Sequence, residues 1–452
     1  MQLKLHTVTI EDLVPAEHFL RKLDAALDLS FVREETSHLY SRHYGRPPID
    51  PVVLVKYLLV GFLYGIPSER QIEQRIQTDM ALRWYLELDL LDPVPDHSTI
   101  SQLRRRKPSF RKIFRRLFEE VVYQCIAKGL VTGHLAATDS THVKANASRA
   151  SEALVEMPEE PGIYWERLDR YEEAAQEELE KKTGIQRKRR TKQVRKVKRR
   201  SHKRVSKTDP EAGYMDRPGK PKGMHYLSHQ TVDTEYGIVL DVAVTPGNSS
   251  DVAPYLNQLQ RINETVIPIL AATADAAYDV PLVHQELARE NIHFFVHPHK
   301  RGKASRPTIP SSDFLYNEEK DLYTCPNGKP LQLRRVGRSH CGVSWIYTAS
   351  RGDCQCCPLK EQCLSASVQA RGRILERNYF SEAVDRDFSA WGTPQYKDAL
   401  KKRQIWCEGT FAAQKRDHNL TRVLRRGLEV AEDHCLLSAT ALNLKRMIKH
   451  MV

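Results

Sequence analysis

The sequence predicts a mixed α/β fold with an all-helical N-terminal region and a small β-rich insertion. Three observations predict it. Apolar residues at helical spacing dominate residues 1–130. From 134 to 300 the pattern reads strand, polar insert, strand, strand, helix, strand, helix, strand. That order contains one hairpin and excludes a doubly wound parallel sheet. Residues 300–395 then replace the alternation with short strand-like runs and most of the cysteines.

The elements follow in chain order. IDPVVLVKYLLVGFLYG begins with Asp50 as an N-cap and Pro51 at the first helical position. Its apolar residues run nearly all round, so the helix is buried. SERQIEQRIQTD forms a second helix from Ser68. In PDHSTISQLRRR, Asp96 or Ser98 can cap a third, with Ile100 and Leu103 inward. Arg104–Arg116 carries eight basic residues and no acid. This arrangement fits a helix-turn-helix DNA reader or, equally, a helical dimerisation domain with a solvated basic face.

LAATDSTHVKA reads as a buried strand ending at Asp139. The stretch 151–210 is strongly segregated: eleven acids between Glu152 and Glu180, then twelve Lys and Arg between Arg187 and Arg204. Its apolar residues are too few for a core, so it reads as solvated helix or disordered tail. MHYLSHQTVD and IVLDVAVTPG are strands joined by the hairpin loop Thr234-Glu235-Tyr236-Gly237. DVAPYLNQLQRI is a helix with Asp251 as its cap. VIPILAATAD is a strand ending at Asp275, PLVHQELAREN a helix and IHFFVHP a strand. DLYTC, LQLRRV and SWIYTA are short strands. QYKDALKKRQIWCEGTFAAQKR and HCLLSATALNLKRMIKH are helices. The expected domains are 1–130 (helical), 131–300 (core with the charged insert 151–210), 301–395 (cysteine-bearing insertion) and 396–452 (helices completing the core).

The 452 residues hold 70 Lys and Arg against 57 Asp and Glu, a net charge of +13. Such an excess suits an acidic partner, nucleic acid first. It is spread over the insert, the 104–116 segment and the surroundings of Glu408. The longest apolar run, Val52–Tyr64, is too short to span a bilayer and contains Lys56. The first residues lack a secretory h-region. Without an oxidising compartment, the nine cysteines read as reduced thiols or metal ligands.

Asp139 and Asp275 each close an apolar strand beside a small residue. Two converging carboxylates repel unless a cation neutralises them. Mg²⁺ or Mn²⁺ takes oxygen ligands, and a pair of ions can stabilise both oxygens of an in-line displacement at phosphorus. Glu408 is the third acid chosen. On a continuous α-helix Lys401 and Lys415, at i−7 and i+7, share its face.

With these residues in view, the sequence resembles the DDE transposases of bacterial insertion sequences. The matching segments are PDHSTISQLRRR (95–106), TDSTHVKANAS (138–148), VTPGNSSD (244–251), TADAAYD (273–279), CEGTFAAQKRDHNLTRVLRRGLEVAE (407–432) and ALNLKRM (441–447). The resemblance implies an RNase H-like core with Asp139, Asp275 and Glu408 as a catalytic, metal-holding triad. It implies two-metal, Mg²⁺- or Mn²⁺-dependent cleavage at inverted-repeat ends, then strand transfer of the 3′-OH into target DNA. It also implies at least a homodimer on DNA and a bacterial cytoplasmic, nucleoid-associated setting, away from membranes. Many relatives place Tyr, Arg and Lys at i−7, i−4 and i+7 from the Glu. Here those positions hold Lys401, Gln404 and Lys415, with Arg403 one residue off. Lys401, Arg403, Lys415, Arg104, Arg105 and Arg106 are the expected DNA contacts. Tyr278 is expected to pack or position the Asp275 turn and not to act as a nucleophile. A nuclease without strand transfer and a domesticated DNA-binding relative remain alternatives.

The cysteines form a second group. Cys354-x₂-Cys357-x₅-Cys363 has knuckle-like spacing, and Cys325 in YTCPNG can complete a structural zinc site. Cys341 and Cys356 are spare ligands, His297 and His299 alternatives. The competing reading is reduced cysteines packed as small hydrophobes.

Overall fold

The computed structural model describes residues 8–39, 49–106, 111–158, 163–184, 200–299, 309–339, 342–364 and 372–451. Most of the basic run Arg187–Arg204, together with Cys341, lies outside the described residues. So do the side chains of Arg104, Arg105 and Arg106, although the backbone of His97–Arg106 is helical. The chain divides into two compact units. The first comprises 1–156, 202–273 and 401–452; the second comprises 157–201 and 274–400.

The first unit is built on a mixed sheet. Strand Ala136–Lys144 pairs antiparallel with Gly223–Asp233, and that strand pairs antiparallel with Val239–Pro246 and Gly213–Met215. On its other edge Ala136–Lys144 pairs parallel with Ala271–Ala274, Ala137 lying opposite Thr273. With the short Gly213–Met215 set aside, the remaining four strands lie in sequence order third, second, first, fourth, with the fourth parallel to the first. This is the strand order of an RNase H-like sheet.

Local chemistry explains the elements. Asp50 caps Pro51–Leu63 by accepting from Val52 N at 2.8 Å, and eleven residues of that helix are buried. Ser68 caps Glu69–Thr78, and Asp96 accepts from Ser98 N at 2.7 Å. The hairpin turns at Gly237, whose φ of +78° disfavours a side chain. The C-terminal helix Leu428–Lys449 packs on Val239–Pro246 and on helices Lys112–Ala127 and Pro51–Leu63. Asn443 locks it to the sheet edge by bonding both Val239 N and Val239 O at 2.8 Å. Arg111 and Arg115 of Lys112–Ala127 and its cap pair with Asp433 and Asp241.

The second unit contains a five-stranded antiparallel sheet in the order Ile374–Asn378, Gly342–Ala349, Pro330–Ser339, Leu322–Thr324, Leu315–Asn317. Here one expectation fails. The acidic part of the insert does contribute to a core: Ile163–Thr183 is one helix, and Leu168, Ala175 and Leu179 are buried. It packs on Pro330–Ser339 and Gly342–Ala349. The apolar residues are few, but spacings of seven and four put them on one helical face.

Two boundaries also differ from expectation. The strand Ala136–Lys144 does not end at Asp139 but runs five residues beyond it, because Thr141 and Val143 keep pointing into the buried face. Asp251 does not cap the next helix, which starts at Tyr255. Its carboxylate is taken by Arg217 at 2.8 Å and by Ser140 Oγ at 3.0 Å.

Candidate active site

Asp139 sits partway along the first core strand. Its Oδ1 accepts from Ser140 N at 2.7 Å, and its Oδ2 faces Arg403 Nη1 at 3.2 Å. Asp275 follows directly on Ala271–Ala274, as expected of an acid at a strand end. It caps a short 3₁₀ turn, accepting from Ala277 N at 2.9 Å. Tyr278 in that turn is buried, which fits a packing role. Each aspartate lies two residues beyond a member of the Ala137–Thr273 pair.

Glu408 is exposed and closes a π-helical turn, Gln404–Glu408, set between helices Pro394–Arg403 and Gly409–Asp417. This turn packs against the strands Ala136–Lys144 and Gly223–Asp233. The burial of Cys407 and three contacts of Arg446 hold it. Cys407 is buried, Arg446 stacks over Trp406 at 5.5 Å, and Arg446 bonds Thr410 Oγ1 at 3.0 Å and the carbonyl of Gly237. Gln414, six residues on, exchanges two hydrogen bonds with Gln230 at 2.9 and 2.7 Å in the interior. The helix bearing Glu408 is therefore fixed to the central strand from below.

The π turn corrects the expected register. Such a turn holds one residue more than an α-helical turn, which rotates preceding residues by about 100°. Lys401 therefore leaves the face of Glu408, on which an uninterrupted helix would place it. Arg403, one residue off in the sequence, moves onto the position that i−4 occupies in an uninterrupted helix. Its reach to Asp139 agrees with that shift.

Lys415 remains one continuous helix away from Glu408 and is half-buried. Burial, with a smaller contribution from Lys220, holds its pKa below the usual lysine range. It belongs to a cluster of lysines and neutral imidazoles not anticipated as such. His142 and His225 meet edge to face at 5.7 Å, and Lys144 lies opposite His225 across the strand pair. Burial first, then Lys415, His225 and Lys220, push His142 down to about 4. Burial followed by Lys144 and Lys415 also lowers His225. The hint in the sequence was THVK, immediately after Asp139.

Among the described residues, Glu73, Asp96 and His97 are the group of three or more His, Cys, Asp or Glu whose ligand atoms all lie within 4.8 Å of one another; the carboxylates of Asp139, Asp275 and Glu408 and the thiols of Cys325, Cys354, Cys357 and Cys363 are not drawn together that closely. The first three are explained locally: Glu73 accepts from His97 N at 3.0 Å and contacts His97 Nδ1 at 2.7 Å. Cys325, Cys354, Cys357 and Cys363 are free and half-buried, while Cys356 is exposed. His297 packs on Trp391, and His299 N donates to Asp279 at 2.6 Å.

No curated protein matches the chain. Among solved structures, similarity extends to a piggyBac transposase synaptic complex with hairpin DNA. The identity is 9%, covering 95% of this chain and 74% of that one, with a TM-score of 0.36. A Mos1 transposase paired-end complex with left transposon end is similar at 12% identity, 58% and 63% coverage, and a TM-score of 0.17. No helix of the described residues is long and apolar enough to cross a membrane. Two family models match: a transposase domain, DUF772, over residues 8–106, and a transposase DDE domain over 324–448, which contains Arg403, Glu408 and Lys415. Over these two segments the chain is similar to DDE transposases.

Proposed function

We propose that this chain is a transposase that cleaves DNA at the inverted-repeat ends of an insertion sequence and joins the freed 3′-OH to target DNA. Asp139, Asp275 and Glu408 are the catalytic residues. The observation that carries this reading is the register of the parallel strand pair, which sets an acid two residues beyond each of Ala137 and Thr273. Glu408 on the π turn, packed against the strand of Asp139, supplies the third carboxylate.

Carboxylate oxygens are the donors that Mg²⁺ or Mn²⁺ prefers, so the residues fit the ion pair proposed for them. Bound ions would lower the pKa of the attacking water and neutralise charge at the phosphodiester. The chain's own part is positioning. Ser140 N and Arg403 fix the two oxygens of Asp139, and the 3₁₀ turn fixes Asp275. Lys415, with Lys220 and Lys144, offers a cationic track for the phosphate backbone, and the neutral rings of His142 and His225 line it. Lys401, Arg104, Arg105 and Arg106 are further proposed DNA contacts. Synapsis of two ends requires at least two copies, and the site of action is the nucleoid in the bacterial cytoplasm.

The test is incubation of the chain with end-bearing duplex, target DNA and Mg²⁺. Joined products support transposition. Nicking without joining would refute strand transfer, and binding without nicking would refute catalysis altogether.

A further inference from the structure

We infer that the loop 420–427 is a docking surface for duplex DNA, with Arg422, Arg426 and Lys144 on its phosphates and Leu424 against the groove edge between them. The loop follows Gly409–Asp417, the helix whose N-cap is Glu408, and leads into Leu428–Lys449. It lies against the end of the strand that carries Asp139. Lys144 N donates to Thr421 O at 3.0 Å and Val423 N to Lys144 O at 2.9 Å, which sets Arg422 beside Lys144 in a parallel bridge. Leu420 and Val423 are buried and anchor the loop, while Arg422, Leu424, Arg426 and Lys144 are exposed.

Asn146, two residues past the strand, braces the loop. Its Nδ2 donates to Leu424 O at 2.6 Å. Its Oδ1 accepts from Arg422 Nη2 at 3.3 Å, and its backbone oxygen accepts from Arg426 Nε at 3.2 Å. Asp209 and Glu211 hold the far end, yet they accept the N–H groups of Gly427 and Leu428, at 3.2 and 2.9 Å, and not the guanidinium groups. Among the described residues, Arg422, Arg426 and Lys144 therefore have no carboxylate partner.

A guanidinium oriented by a neutral amide through one N–H keeps its other donors for a phosphate, which accepts them in pairs. Arginines flanking an exposed apolar side chain are a combination that proteins present to a DNA groove. Lys144 joins the loop to the track it shares with Lys415 and Lys220. The loop meets the strand Ala136–Lys144 at its last residue, five residues beyond Asp139. Five residues of extended strand span about 17 Å. A duplex rises about 3.4 Å per base pair, so one whose phosphodiester lies at Asp139 reaches the loop within about five base pairs. That distance rests on the catalytic reading of Asp139; the docking itself does not.

The experiment is fluorescence-anisotropy titration of the full chain with end-bearing duplex over a range of salt concentrations, without divalent metal so that nothing is cleaved. Arg422→Gln/Arg426→Gln should make the slope of log affinity against log salt shallower by about 2, and Arg422→Lys/Arg426→Lys should keep it. Arg422→Gln alone should give about half that change, which decides the matter if the double variant is insoluble. Leu424→Ala should weaken binding about three- to tenfold at every salt concentration with the slope unchanged, because an apolar contact releases no counterions. Hydroxyl-radical protection present with wild type and lost with the glutamine variant should lie within about five base pairs of the element's terminal bond. Glutamine variants with the wild-type slope would overturn the inference, as they would if the loop met an acidic protein instead. So would full affinity in Leu424→Ala, or lost protection lying farther away. Binding is read apart from cleavage: a wild type that binds but never nicks in Mg²⁺ refutes the catalytic reading, and the slopes still decide the loop.

Discussion

Gly237 offers the sharpest probe of how Glu408 is positioned. A Cβ built there would overlap ring atoms of Trp406 and lie 2.9 Å from Arg446 Nη1, and φ is +78°. Gly237→Ala therefore incurs two costs. The left-handed backbone costs about 1–2 kcal/mol for any L-residue. Forcing Trp406 and Arg446 aside adds about 1–3 kcal/mol. Gly219 isolates the first cost, because it has a φ of +74° and a Cβ there would meet nothing within 4 Å. Gly219→Ala and Gly237→Ala should thus differ by about 2 kcal/mol, or roughly 4–8 °C in Tm. The assay is thermal unfolding of both variants beside wild type, with duplex nicking as a second readout. Nicking should fall in Gly237→Ala alone, since Trp406 stands two residues before Glu408. Equal Tm values for the two variants would refute the packing of the π turn on the hairpin.

Three further outcomes are expected. Removing one of the two buried amides in Gln414→Leu should destabilise the first unit by about 1–3 kcal/mol. Gln230→Leu/Gln414→Leu should recover most of that, as a urea-denaturation double-mutant cycle will show. His418 Nδ1 donates to Phe62 O at 2.8 Å, and burial pushes its pKa down from 6.5 to about 4. Folding then keeps this ring neutral while the unfolded chain protonates it, so its stabilising effect is full above pH 6.5 and is lost as pH falls towards 4. His418→Asn should flatten the pH dependence of unfolding in that window by about 1.4 kcal/mol per pH unit. In the second unit, His284 bridges Asp387 at 2.8 Å and Asp279 at 3.1 Å; burial opposes its charge, but those carboxylates outweigh burial and raise its pKa. Asp387→Ala should cost about 3–5 kcal/mol by leaving that charge half-paired, read as a lower unfolding midpoint.

Much of this was legible because the signal was local. Asp50 before Pro51 marked a helix start, and Thr234–Gly237 marked a hairpin whose glycine does adopt a positive φ. Asp275 beside Ala274 read correctly as a strand-end acid because the strand is short and lacks charge. What failed to show depends on tertiary packing. Nothing in RQIWCEGT marks a π turn, whose register is held by Arg446, Gly237 and Cys407. The contact of Arg403 with Asp139 joins residues 264 positions apart. Without the turn, Arg403 reads as a misplaced residue, and Lys401 takes a face it does not occupy. The helix Ile163–Thr183 was hidden for a different reason. Its charge masked the seven-and-four pattern of Leu168, Ala175 and Leu179.

Three carboxylates acting as one site are the centre of the proposed chemistry. The most direct test compares wild type with Asp139→Ala, Asp275→Ala and Glu408→Ala on end-bearing duplex in Mg²⁺, with gel-shift binding measured on the same samples. Each substitution should abolish nicking and joining while leaving duplex binding within about threefold of wild type, because the phosphate contacts come from other residues. Nicking by Asp275→Ala at the wild-type rate would contradict a three-carboxylate site.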